Sequence, residues 1–217
     1  MYRPQPKHSA YSLVELLVVI GIVVLLLAIL LPALRRARES ARQVVCASNM
    51  RQLAAAYAMY AKNNLGRPPS PARSDILFPD DWVFWQEPPF GYRSINDSAL
   101  APYLGAKGPT LRAVFRCPSD PLTHTGYPLS YSMNTGLWRV YWQKLPRLPI
   151  TMVRHPSEKA LFYDEDDHAD DGAFWYQNSD NLTDRHNGKG NIAFFDGHVE
   201  AEFPSFAHEL RFNDPQY

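Results

Sequence analysis

The chain has 217 residues, with 22 basic and 22 acidic side chains and no formal net charge, so there is no global electrostatic case for binding nucleic acid. The length suits one domain plus a membrane segment and excludes two large domains. No repeat of fixed period and no low-complexity tract occurs, which excludes a solenoid.

Residues 1–10 form a short basic leader carrying Arg3 and Lys7. From Leu16 to Leu34 no residue is charged. As a helix that stretch spans roughly 28 Å, close to the bilayer core of about 30 Å. A core helix this apolar on every face is unusual outside membranes. A cleaved secretory signal would have a shorter apolar run, and here the run leads straight into Arg35, Arg36 and Arg38. The segment is therefore expected to be a transmembrane helix over 11–34. Arg35, Arg36, Arg38 and Arg42 outnumber Arg3 and Lys7, so charge counting alone favours the C-terminal flank as cytoplasmic. Glu15 sits just before the apolar run. An acid inside a membrane helix costs roughly 2–3 kcal/mol and so needs a partner, unless it lies at the headgroup level. Pro32 removes a backbone donor, and a bend or melted turn is expected there.

Good helix formers continue the helix to about Lys62, with an amphipathic half over 35–64. Cys46, Met50, Leu53, Tyr57 and Tyr60 recur at helical spacing as one apolar stripe. The run Asn63-Asn64-Leu65-Gly66 followed by Pro68 reads as the stop. Most of the 19 prolines fall between Pro68 and Pro156, so the domain over 65–217 should be loop-rich. Trp82, Phe84 and Trp85 are expected in its core. Ser98 to Leu104 is expected to form a short helix. Ser130–Met133, Val140–Trp142 and Ala160–Tyr163 read as strands. The clearest hairpin is Asn191–Phe195 and His198–Phe203, joined by Asp196-Gly197 as an expected type I′ turn. In its second strand, Val199, Ala201 and Phe203 should face the core.

Three groups could carry chemistry. Cys46 and Cys117 form either one disulfide, stapling the loop-rich domain to the helix, or two buried thiols. The acidic run from Asp164 to Asp171 is either a hard-cation site, with Asp164, Asp166 and Asp170 as oxygen ligands for Ca2+, or a solvated loop; its spacing is not that of an EF-hand. His186, Asp196 and His198 offer metal-ligand chemistry, but no nucleophile–base spacing, phosphate loop or His-Glu-x-x-His accompanies them. His186 is expected to anchor the loop before the hairpin by a hydrogen bond. No enzyme and no cofactor beyond Ca2+ is expected.

The stretch Ala10-Tyr11-Ser12-Leu13-Val14-Glu15-Leu16-Leu17 resembles the type IV prepilin cleavage and methylation motif. The resemblance implies cutting between Ala10 and Tyr11 by a prepilin peptidase and methylation of the new N-terminus. It makes Glu15 the acid that pairs with the ammonium of a neighbouring subunit, and places Pro32 where many pilins carry a helix-kinking proline. The family usually has glycine before the cut and phenylalanine after it; here alanine keeps the site small. A second stretch, Arg185-His186 through Asp196-Gly197, resembles the H-X9-DG motif that closes many pseudopilin-like proteins. Segments around Cys46 to Leu53 and Phe115 to Pro121 match that group too. The resemblance implies an α+β, pilin-like fold: a long N-terminal helix packed on a small antiparallel β-sheet domain with Pro-rich loops. It implies a structural subunit of a type II secretion or type IV pilus-like filament. Its partners would be other pseudopilins, prepilin peptidase and an inner-membrane assembly platform. The chain would cross the bacterial inner membrane once, N-terminus cytoplasmic. The alternatives are a membrane-anchored binding module with Trp-rich loops, and a metal-dependent enzyme.

Overall fold

The computed structural model describes residues 13–72, 78–84, 94–121, 129–138, 149–166, 171–175, 180–209 and 213–214. The leader, Ala10, Tyr11, Trp85, Asp170 and the expected strand at Val140–Trp142 lie outside the described residues. The chain divides into two compact units, Met1–Arg38 and Glu39–Tyr217.

Helix α1 (Leu13–Asn63) runs through both units and takes in Pro32 without interruption, so the expected melted turn is not formed. In the first unit its apolar side chains are all exposed, and none of the most apolar 18-residue window is buried in the chain. That rules out a core helix of this domain. The segment is long and apolar enough to cross a membrane, as an anchor or as a signal sequence.

In the second unit α1 does bury one face. Cys46, Met50, Leu53 and Tyr57 are buried, as their three- and four-residue spacing predicts, and Ala54, Ala56 and Ala61 join them. After Gly66, which takes a positive φ just past the helix end, the chain turns into loops. Two short 3-10 turns, Ile95–Asp97 and Ala101–Tyr103, replace the single helix expected over 98–104. Ser94 caps the first, with its hydroxyl on the Asn96 amide and Asp97 returning to the Ser94 amide. Helix α2 (Gly108–Val114) is absent from the sequence expectation. Its Gly-Pro start reads as a loop, yet proline in the first turn loses no helical hydrogen bond.

The sheet has five strands: β1 (Tyr131–Asn134), β2 (Ala160–Asp164), β3 (Ala173–Phe174), β4 (Gly190–Phe194) and β5 (Val199–Glu202). Their order is β3-β1-β2-β4-β5. All neighbours are antiparallel except β1 and β3, so the sheet is mixed rather than wholly antiparallel. The parallel partner is a two-residue strand at the edge of the acidic loop, too short to show a period of two. The α+β layout holds.

The sheet separates two hydrophobic clusters. Leu161, Phe162, Met133, Tyr131 and Ala193 pack with the α1 stripe and with Trp82, Phe115 and Cys117. Tyr163, Phe174, Ile192, Phe194, Leu182 and Ala207 pack together in a second cluster. A register shift between Ala160 and Phe162 places Leu161 and Phe162 in the same cluster, which a regular strand could not do. Trp82 is the centrepiece of the first cluster. Its indole N–H donates to the carbonyls of Pro71 and Gly172, and its ring lies 5.0 Å from that of Phe162. Trp82 and Phe84 thus take the expected core role.

The hairpin is where expected, but its turn differs. Gly197 has φ +92° while Asp196 does not enter the positive region. The Gly197 amide donates to the Phe194 carbonyl and the Phe194 amide to that of His198. This is a type I turn closed by a glycine bulge, with three loop residues instead of two. A type I′ geometry occurs instead at Asn187-Gly188, both with positive φ, between the mutually hydrogen-bonded His186 and Lys189. The second strand is an edge: Val199 and Ala201 are half-buried, and Phe203, expected inside, is exposed.

Asp81 carries a pH prediction. It is fully buried and accepts the Phe78 amide at 3.0 Å. Burial pushes its carboxyl up to about 6, with the hydrogen bond from the Phe78 amide opposing. In the unfolded chain the same group titrates near 3.9. Between those values the folded state holds the extra proton, so stability from this group is complete below about pH 4 and falls as pH rises to about 6. Asp81→Asn should remove that slope and stabilise the domain at pH 7 by on the order of 2 kcal/mol. Melting curves of both proteins between pH 4 and 7 check it; parallel curves would rule it out.

Candidate functional site

Four buried side chains converge from four separate segments. Cys46 comes from the inner stripe of α1, and Cys117 from the turn after α2. Asp164 is the last residue of β2, and His186 opens the Asn187-Gly188 turn before β4. One potential ligand atom from each lies within 4.8 Å of every other. His186 is the hub. Its Nε2 stands 2.9 Å from Asp164 Oδ2 and 3.3 Å from Cys117 Sγ. Its Nδ1 stands 2.8 Å from Glu39 Oε1. The Cys46 thiol donates to Asp164 Oδ2 at 3.2 Å and accepts the Tyr131 hydroxyl at 3.3 Å.

A second layer holds these groups in place. The Ser119 hydroxyl donates to Glu39 Oε1 at 2.6 Å. Arg185 Nη1 pairs with Asp120 at 3.0 Å and reaches the outer oxygen of Asp164 at 3.7 Å. Its Nε donates to the Thr183 hydroxyl, and its Nη2 to the Glu165 carbonyl. Ser130 donates to Asp120 at 2.6 Å. A cation beside two buried carboxylates offsets part of their desolvation.

These contacts set the protonation. Burial opposes the imidazolium of His186, but hydrogen bonds to Asp164 and Cys117 outweigh it and hold the ring at about 10. The adjoining Cys46 lowers the Cys117 thiol to about 6; burial opposes this and His186 assists it. Burial pushes the Cys46 thiol well up, reinforced by its neighbour Cys117. The two sulfurs are thus pushed apart, Cys117 down and Cys46 up.

Cys117, His186 and Glu39 stand in the order of a nucleophile, base and orienting acid. A cavity of about 490 Å3 adjoins Cys117, lined also by Val45, Asn49, Arg112, Arg116 and Asp120. Yet Cys117 is only 2% exposed, and its sulfur is turned to Cys46 and His186. The thiol is thus largely enclosed by its neighbours in this conformation.

The sequence-predicted residues divide accordingly. Cys46 and Cys117 are adjacent and carried as two free buried thiols, the second of the two states left open by the sequence. Asp164 of the acidic run faces this cluster, its Oδ2 2.9 Å from His186 Nε2. His186 and the pair Asp196 and His198 are not brought together. His198 Nδ1 bonds Asp196 at 2.5 Å and its ring stacks on Phe194, at the exposed hairpin tip. Glu39, Asp120, Tyr131 and Arg185 are partners that the sequence alone does not reveal, since no short spacing marks them.

Comparison with known protein families, with curated proteins and with solved structures finds no match to this chain.

Proposed function

We propose that the chain is a pseudopilin-like structural subunit, processed by a prepilin peptidase and assembled into a type II secretion or type IV pilus-like filament. One observation carries the reading: a single helix, α1, has an apolar, wholly exposed first part and a second part that is the buried spine of an α+β domain. A cleaved signal needs no such continuity. The Ala10-Tyr11 to Glu15 motif and the H-X9-DG stretch point the same way. In this reading the chain waits in the inner membrane with its N-terminus cytoplasmic and its domain outside. The leader is cut after Ala10 and Tyr11 is methylated. An assembly platform then extracts the subunit, and apolar helices pack against one another, so that burial in the bundle offsets leaving lipid. Glu15 and the ammonium of the next subunit set the register, each neutralising the other away from water.

The binding-module alternative loses ground because Trp82 and Phe84, from its aromatic loop, are core residues.

Glu15→Ala tests the proposal. The variant should insert into membranes as the parent does and yield at least tenfold less filament in sheared surface fractions, about 1.4 kcal/mol or more of assembly free energy per subunit. Undiminished filament would refute the role of Glu15.

A further inference from the structure

We propose that Cys46, Cys117, Asp164 and His186 form a closed structural site for one thiophilic divalent cation of the zinc class. The donor set is two sulfurs, one imidazole nitrogen and one carboxylate oxygen, within 4.8 Å of one another. Zinc takes four such ligands in tetrahedral array, and thiolate with imidazole selects it over calcium or magnesium. Burial of all four residues leaves no open coordination position, which separates a structural site from a catalytic one.

The surroundings are those of a ligand shell. A metal-bound histidine donates its other ring N–H to a carboxylate or carbonyl, and here Nδ1 meets Glu39 Oε1 at 2.8 Å. That contact aims Nε2 at the cluster, and Ser119 fixes the Glu39 oxygen in turn. Arg185 approaches the Oδ1 of Asp164, leaving Oδ2 for the centre. The Tyr131 hydroxyl donates to the Cys46 sulfur, a contact that tunes a thiolate as well as a thiol.

Geometry and charge also close. Zinc–ligand bonds of about 2.0–2.3 Å at tetrahedral angles give donor–donor edges of roughly 3.3–3.8 Å. The present edges through Asp164, His186 and Cys117 are hydrogen bonds of 2.9–3.3 Å. Along these three edges the donors need part by only a few tenths of an ångström to admit the ion, and every other pair lies within 4.8 Å. In the bound form both sulfurs are thiolates and the ring is neutral, protonated at Nδ1 alone. Protons held by these atoms beforehand leave to solvent, and no oxidant or reductant enters. Two thiolates and one carboxylate against a divalent cation leave one negative charge, beside the Arg185 guanidinium that Asp164 shares with Asp120. The ion would tie α1, the loop after α2, the end of β2 and the turn before β4 at one point. In a loop-rich domain, such a tie stabilises the folded state by its binding free energy.

The test uses the full chain, extracted in detergent without chelators. Elemental mass spectrometry should find about one zinc per chain, with both cysteines free to alkylation after denaturation. Cobalt(II) supplied to the chelator-treated protein should give the absorption of tetrahedral cobalt with thiolate charge transfer. Cys46→Ser and Cys117→Ser should lose the metal. Glu39→Gln, which among the four ligands touches His186 on its far side, should stay folded and bind the ion 10–100-fold more weakly. Two results would overturn the site. One is a folded parent chain that neither carries zinc nor takes up supplied zinc or cobalt. The other is a parent chain in which Cys46 and Cys117 are joined to each other. Both are read on the parent protein, so a variant that fails to fold alters neither.

Discussion

Phe162→Ala should destabilise the domain by about 3–5 kcal/mol, the largest loss expected from a single side chain here. Phe162 is fully buried on β2, between strands β1 and β4, where it pairs with Met133 and Ala193. Its ring lies 5.0 Å from that of Trp82 and meets the Tyr57 ring edge-on at 6.2 Å. It therefore joins the sheet, the α1 stripe and the loop segment around Trp82. Truncation loses the transfer term and leaves a cavity bounded by two rigid aromatic rings, which cannot collapse to fill it. Phe162→Leu should cost much less, since most of the volume remains. Unfolding followed by tryptophan fluorescence reads both; equal losses for the two variants would show that volume is not the cause. For a domain of this size, the alanine loss corresponds to a melting temperature roughly 10 °C lower.

The second large effect is expected from Arg185→Met, at about 3 kcal/mol. The Arg185 side chain is 11% exposed and stands between Asp120, 9% exposed, and Asp164, fully buried. Removing the guanidinium leaves two buried carboxylates facing one another, and breaking a buried charge pair from one side typically costs about 3–5 kcal/mol. The double variant with Asp120→Asn should lose less than the sum of the single changes, because one of the stranded charges is gone. A double-mutant cycle from denaturant melts measures the difference. Strict additivity would mean that Arg185 acts through packing of its aliphatic stem rather than through charge.

Both residues show what a sequence can convey. The stripe Cys46, Met50, Leu53 and Tyr57 is legible because a helix imposes its period along its whole length. Strands β1, β2 and β4 are legible from aromatic and β-branched content. Helix α2 is hidden by Gly108-Pro109, which looks like a turn until its place in the first helical turn is known. The Asp196-Gly197 turn is located correctly but differs in type, and Asn187-Gly188, where no turn is expected, takes the geometry expected there. Backbone φ at the first turn residue depends on how many residues the flanking strands leave for the loop, and dipeptide identity does not state that number.

The buried cluster is less legible still. Its members stand at positions 46, 117, 164 and 186, so no spacing motif links them, and each has a separate local explanation. In sequence, Asp164 belongs with the acidic run that follows it. The end of β2 instead turns it away from its chain neighbours and toward His186. Only strand order β1-β2-β4, with α1 packed across it, brings the four segments together. Arg185 stands in the sequence merely as the residue before His186, yet its partners Asp120 and Asp164 lie 65 and 21 positions away.

The central claim, a processed pilin-like subunit, rests on the bond between Ala10 and Tyr11. The most direct measurement is the intact mass and N-terminal sequence of the protein recovered from membranes. A chain that starts at N-methylated Tyr11 is the predicted result. A mature chain that still starts at Met1, or one that starts beyond Pro32, would contradict it.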